Sequence, residues 1–354
     1  MTTATTRITV TLKQAADLIA ACPNNRFFVR GEPGIGKSAI IKLLAEKTKY
    51  NTAYVDVPNM DLGDIAMPVI DKETKTTGYY PNGRFQFHLG KPMIVMLDEF
   101  SKGADPVKNM LHPMLEVNNP RLGDVPVPEG SLLFLTGNLG SDGVGDSIKA
   151  HTKMRITEVE VSKPNYLEWL EWAVNNGIHP VIMAWVNRTP NCLASYRDGD
   201  QQSNQYIFFP NTMQGAVVTP RTLELGSNIV WARDKFDHTA LHAAMAGTVG
   251  EAAAASIASF IVHQDSLPTR KEIAENPLTA RVPEDDGALA VLVYGAIEWV
   301  TKDTLPAFLT YIGRADPEWQ CIFNIALARN PRKQAMAFAC KAFAEWVAKN
   351  EDLL

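Results

Sequence analysis

The stretch Gly31 to Ile40, GEPGIGKSAI, decides the fold. It fits the pattern G-x-x-x-x-G-K-[ST], and both flanks supply the required context. Before it stands RFFVR, residues 26–30, an apolar β-rich run; after it AIIKLLAEK, residues 39–47, has helical spacing. A strand, a glycine-rich loop and a helix in that order present backbone amides and a helix N-terminus to an anion. Gly31, Glu32, Pro33, Gly34, Ile35, Gly36, Lys37, Ser38 and Ala39 are thus expected to line a phosphate site, with the glycines letting the amides face the ligand. Lys37 is expected to reach the β- and γ-phosphates, and the Ser38 hydroxyl to offer an oxygen to Mg2+. Such a cradle serves many reactions, so the rest of the chain has to choose between them.

Working outward, RFFVR, AYVDV, MIVMLDE, SLLFLTGN and ITEVEV alternate with helical patterns between residue 26 and about 161. Strands that read as continuous apolar runs between helices predict an α/β core whose parallel sheet is sandwiched by helices. Residues 71–87, DKETKTTGYYPNGRFQF, interrupt the alternation. They predict a β-hairpin with Asn82-Gly83 as its tight turn, carrying Tyr79, Tyr80 and Phe85. After SKPNY the texture becomes helical, which places a domain boundary near 164. A Pro- and charge-rich break at DSLPTRKEIAENPLTARVPEDDG sets off a third segment. The expected organisation is residues 1–163 as the α/β domain, 164–265 as an all-helical lid and 266–354 as a helical C-terminal region. Trp169 and Trp172, and Phe338 with Phe343 and Trp346, fall at helical spacing and read as core stripes.

A chain of 354 residues exceeds one typical core. With 46% hydrophobic and 21% charged residues it has the balance of a globular protein, which excludes a disordered one. A formal charge of −5 gives no overall attraction to nucleic acid or an anionic membrane. The four cysteines, Cys22, Cys192, Cys321 and Cys340, lack metal or disulfide spacing and read as buried free thiols. His238 and His242 sit i, i+4, but no acid or Cys nearby completes a metal site. The N-terminus has no apolar h-region, and ALAVLVYGAIEWV is too short for a span, so the expected setting is cytoplasmic.

Two further strands carry chemistry. MIVMLDEF ends in two acids: Asp98 is placed to hold Mg2+ through water, and Glu99 to polarise an attacking water. GTPases lack that second acid and small-molecule kinases have no use for it, so the pair points to hydrolysis. SLLFLTGN ends in Asn138, whose amide can position the lytic water or touch the γ-phosphate. In TPRTLE, Arg221 opens a helix of the second domain after Pro220, where a cation can close over a nucleotide.

These residues carry a resemblance. GEPGIGKS, MLDEF, LTGN and TPRTLE resemble Walker A, Walker B, sensor 1 and sensor 2 of the AAA+ ATPases, in the family's order, and the chain is similar to the MoxR-like branch. VKNMLHPMLEVNNPRLGDVPVPEG resembles the helix and hairpin before the sensor-1 strand, and NLGSDGVGD the loop after it. The resemblance implies a P-loop AAA+ core, Mg-dependent ATP hydrolysis with ATP and Mg2+ as cofactors, and a homo-oligomeric ring, usually a hexamer. It also implies an arginine finger supplied by a neighbouring subunit. The matching position is Arg155 in KMRITEVEV, where the family usually has an aromatic after the Arg; Lys149 and Lys153 are alternates. MoxR-like proteins act as chaperones on protein clients, among them partners with a von Willebrand factor A domain. Two rival readings use the same core. One is a nucleic-acid motor or loader, which needs basic residues on the hairpin, where Lys72, Lys75 and Arg84 stand against Asp71 and Glu73. The other is a nucleotide-switched assembly scaffold, against which intact Lys37, Asp98, Glu99 and Asn138 argue.

Overall fold

The computed structural model describes residues 8–139, 148–210 and 212–353. The chain divides into two compact units. One runs through Lys163 and includes Phe209–Thr212; the other comprises Pro164–Phe208 and the chain from Met213 onward. In the first unit the elements are α1 (Leu12–Ala21), β1 (Phe27–Gly31), α2 (Ala39–Thr48), β2 (Asn51–Asp56), α3 (Leu62–Ile65), β3 (Ala66–Asp71) and β4 (Thr76–Pro81). There follow β5 (Met93–Asp98), α4 (Asp105–Leu111), β6 (Arg121–Leu122), β7 (Val125–Pro126), β8 (Leu132–Asn138), α5 (Ala150–Lys153) and β9 (Thr157–Glu160).

Five strands form one parallel sheet in the order β2-β5-β8-β1-β9. Parallel neighbours need crossover connections, and these place helices on both faces. The period of two then divides the side chains between two cores. Phe27, Val29, Ile94, Met96 and Phe134 pack with Ile40 and Leu44 of α2. Phe28, Val95, Leu97, Leu133 and Leu135 pack with Val107 and Leu111 of α4. Burial on both faces is why β5 and β8 read as unbroken apolar runs. The chain leaves β1 for β2 at the far edge of the sheet, whereas β1 itself lies between β8 and β9. That reversal of strand order opens the crevice beyond the carboxyl ends of the strands, where such sheets take ligands.

The inserted hairpin exists, but its turn is elsewhere than expected. β3 and β4 pair from Ala66–Pro81 to Asp71–Thr76, so Lys72–Lys75 make the turn. The Asp71 carboxylate accepts from the amides of Glu73 (2.8 Å) and Thr74 (3.2 Å), a side-chain-closed turn that does the work expected of Asn-Gly. Asn82 instead accepts from the Arg84 amide and starts a 3-10 turn over Gly83–Phe85. Phe85 is therefore fully buried in the sheet's second core, while Tyr79 and Tyr80 are exposed. The hairpin is clipped to the β6–β7 hairpin. The Tyr79 amide donates to the Asp124 carboxylate (2.6 Å), and the Asp124 amide to the Tyr79 carbonyl (2.8 Å). Gly123 permits this approach: it has φ 58°, and a Cβ there would lie 2.4 Å from the Tyr79 oxygen.

The second unit contains α6 (Tyr166–Asn175), α7 (Pro180–Arg188), α8 (Pro220–Trp231), α9 (His238–Val249), α10 (Glu251–Asp265), α11 (Arg270–Glu275), α12 (Asp286–Trp299), α13 (Leu305–Ile312), α14 (Pro317–Ala328), α15 (Gln334–Phe338) and α16 (Lys341–Lys349). One hydrophobic cluster runs from Trp169 through Trp185, Ile257, Val291 and Phe308 to Phe343. The break at 266 therefore does not separate two cores: residues on either side of it bury against α12, an almost wholly buried helix. Trp169 and Phe343 are core as expected, whereas Trp172 and Phe338 are exposed. Of the cysteines only Cys192 is buried; Cys22 is exposed, and Cys321 and Cys340 are half-buried. Among the described residues no helix is long and apolar enough to cross a membrane.

Candidate functional site

The loop after β1 is built by three glycines for two different reasons. Gly34 and Gly36 adopt φ of 75° and 94°, the region open to glycine. Gly31 does not: it is required by packing, since a Cβ there would lie 2.5 Å from Ile35 Cδ1 and 2.8 Å from Val161 Cγ2. Ile35, fully buried, anchors the loop from beneath. Ser38 is the N-cap of α2 but makes no side-chain capping bond, so its hydroxyl is not spent on the helix end. No acid occupies the first turn of α2, so the helix contributes none of its own carboxylates against its dipole there.

Lys37 is nearly buried. Its Nζ donates to the carbonyls of Gly31 and Glu32 and to Asn138 Oδ1, each at 2.9 Å. The register explains the last contact: β1 and β8 pair so that Gly31 faces Asn138. The loop lysine and the amide at the β8 tip, read separately from the sequence, thus meet.

Asp98 ends β5, the strand beside β8, and Glu99 is the next residue. Asp98 accepts from two hydroxyls, Tyr54 Oη at 2.6 Å on Oδ2 and Thr136 Oγ1 on Oδ1. Glu99 follows in the left-handed region, φ 48° and ψ 38°, an uncommon conformation for a residue with a side chain. Its amide donates to Thr136 Oγ1 (3.2 Å), and its carboxylate pairs with Lys102 Nζ at 2.6 Å. Strained backbone of this kind collects at functional sites. Tyr54, Thr136 and Lys102 were not singled out in the sequence. Thr136 stands inside the LTGN run, and Tyr54 is a large exposed ring on a strand whose alternate residues are buried, which was the available signal.

The site suits a nucleotide with its cation. A glycine nest, a helix N-terminus and a lysine offer charge to phosphates, while the Ser38 hydroxyl and Asp98 carboxylate are the hard oxygen donors magnesium takes. Arg155 lies between α5 and β9, at some remove in sequence from this group. Its Nε pairs with Glu116 (2.9 Å), and its Nη1 donates to the His151 carbonyl (2.7 Å). Burial first, and the Arg155 charge second, push the neighbouring His112 below its ordinary value. Lys149 is paired with Asp105 (2.9 Å), and Lys153 is exposed. Arg221 is exposed at the second position of α8 in the helical unit, after the N-cap Thr219. Residues 140–147, most of the loop that follows Asn138, lie outside the described residues. Elsewhere, His242 pairs with Glu251 (2.8 Å), and among the described residues no group of His, Cys, Asp and Glu is arranged to hold a metal ion.

Residues 26–131 match the family of AAA domains of the dynein-related subfamily. The match takes in the glycine loop and both acids of β5 and ends before β8. No curated protein sequence matches the chain. Among solved structures, the chain is similar to a Cytophaga hutchinsonii ATCC 33406 protein named a "putative ATPase". That similarity has 11% identity, covers 69% of this chain and 83% of that one, and has a TM-score of 0.35. By the family match and its five-stranded parallel sheet, the first unit is an α/β P-loop AAA fold.

Proposed function

We propose that this AAA domain makes the chain a magnesium-dependent ATP hydrolase, of the ring-forming MoxR-like kind, that remodels a protein client. The observation that supports hydrolysis is the convergence of Lys37, Asp98, Glu99 and Asn138 at the tips of three adjacent strands. In this reading the loop amides and Lys37 bind the terminal phosphates, Asn138 orients the attacking water and Glu99 accepts its proton. Ser38 and Asp98 would hold magnesium, which would supply neutralisation of the developing phosphate charge. Arg155 of a neighbouring copy and Arg221 of the helical unit are the cations proposed to complete the site.

A protein client is favoured over nucleic acid by the hairpin. Arg84 is not on it and is paired with Asp64 (2.8 Å), leaving Lys72 and Lys75 balanced by Asp71 and Glu73 around the turn. Beside that charge-balanced turn, the hairpin exposes a set of large apolar side chains: Met67, Val69, Ile70, Tyr79 and Tyr80. A chaperone's client, including one with a von Willebrand factor A domain, fits such a surface better than a phosphate backbone does.

Calorimetric titration with ATP and a phosphate-release assay test the core of this reading. Lys37→Ala should lose nucleotide binding, and Glu99→Gln should keep binding while turnover falls by at least about 100-fold, the scale of a lost general base. Wild-type turnover in Glu99→Gln would sink it.

A further inference from the structure

The two hydroxyls on Asp98 come from opposite sides. β5 lies between β2 and β8, and each neighbouring strand sends one hydroxyl to one carboxylate oxygen. Thr136, fully buried, stands on β8 next beyond the Leu97–Leu135 pair. On β2, Ala53 and Val55 face the second core, so by alternation Tyr54 projects to the face of α2. Tyr54 is in register with Met96, which makes Asp98 its diagonal neighbour two residues along the same face. A phenol is long enough to cover that diagonal, and no shorter hydroxyl residue at position 54 could reach.

We propose that Tyr54 is a positioning residue for the metal site, clamping the Asp98 carboxylate together with Thr136; this rests on the nucleotide-site reading above. Each oxygen has two lone-pair directions. With one taken on each by a hydroxyl, the carboxylate plane is locked, and the remaining directions are left for water bound to the cation. An unclamped carboxylate has to lose its rotational freedom when the cation arrives, so it needs more cation for the same occupancy. In this reading Tyr54 acts through Asp98, to which its hydroxyl donates.

The test is Tyr54→Phe, which keeps the ring and removes only the hydroxyl. Affinity for a fluorescent ATP analogue is measured as magnesium is titrated, and again in a chelator. The magnesium concentration that half-produces the tight complex should rise about tenfold, the low end of the scale of one hydrogen bond to a charge, while affinity in the chelator stays at the wild-type value. Turnover at low magnesium should fall and recover as magnesium is raised. Thr136→Val should shift magnesium dependence in the same direction. A magnesium midpoint within twofold of wild type in Tyr54→Phe, or an equal loss of affinity with and without magnesium, would overturn the clamp. If wild-type binding instead survives Lys37→Ala, the nucleotide reading fails and the clamp with it, so the two failures are told apart.

Discussion

His179 sets a pH limit on the helical unit. It is the N-cap of α7, 4% exposed, with its own amide donating to Ser227 Oγ (2.8 Å) and its Nδ1 accepting from the Val181 amide (3.1 Å). Its ring meets Trp231 edge-on at 4.3 Å. A ring nitrogen that accepts a bond cannot also carry a proton, and burial, then the Arg233 charge, push the group from 6.5 down to about 4. The folded state thus keeps His179 neutral while the unfolded chain protonates near the ordinary value. The contribution is present in full above pH 6.5 and is lost as pH falls toward 4. Linkage makes the loss about 2 kcal/mol at pH 5 and about 3 kcal/mol once both states are protonated. All seven tryptophans lie between residues 169 and 346, so denaturant unfolding followed by tryptophan fluorescence reports on the helical unit. The comparison is His179→Asn, whose Oδ1 can still accept from the Val181 amide but cannot titrate. The variant should be weaker at pH 7, through its lost contact with Trp231, and should lack about 2 kcal/mol of the wild-type fall between pH 7 and pH 5. Equal falls in the two proteins, or a His179 that titrates near 6.5 by NMR, would refute the argument.

Gly31→Ala should destabilise the α/β unit by about 1 to 3 kcal/mol, because the added methyl meets Ile35 and the Val161 backbone, and its melting temperature checks this. Phe85→Ala should cost about 3 to 5 kcal/mol in the same measurement, whereas replacing Tyr79 and Tyr80 with Ser should cost little and reduce client binding or client stimulation of ATPase. In the proposed ring, Arg155→Ala and Glu99→Gln should each be nearly inactive alone and regain phosphate release when mixed, since that arrangement would set an intact Arg155 against an intact Glu99 across some subunit boundaries. No recovery while labelled subunits demonstrably exchange would refute action in trans.

Much of this was legible in the chain. Strands buried on both faces cannot alternate, so RFFVR, MIVMLDE and SLLFLTGN announced a covered parallel sheet, and the GEPGIGKS loop announced the P-loop AAA fold. The misplaced hairpin turn has a local cause: Asn82-Gly83 has turn chemistry, but Asp71 closes the earlier turn with its own side chain, and Phe85 is then drawn into the core. Gly31 shows that a glycine's reason can be a neighbour distant in sequence, here Val161, which no local pattern displays. That Tyr54 and Thr136 converge on Asp98 was out of reach for the same reason. They meet Asp98 through strand register, a property of how segments 44 and 38 residues apart align.

The clip between Tyr79 and Asp124 joins positions 45 apart in the chain and makes the segment between them a closed circuit, with β5 as its central span. A strand inside such a circuit is tethered at both of its ends to the same point. The two hairpins are thereby fixed to each other at one point, while β5, between them in the chain, is held by its own ladders to β2 and β8.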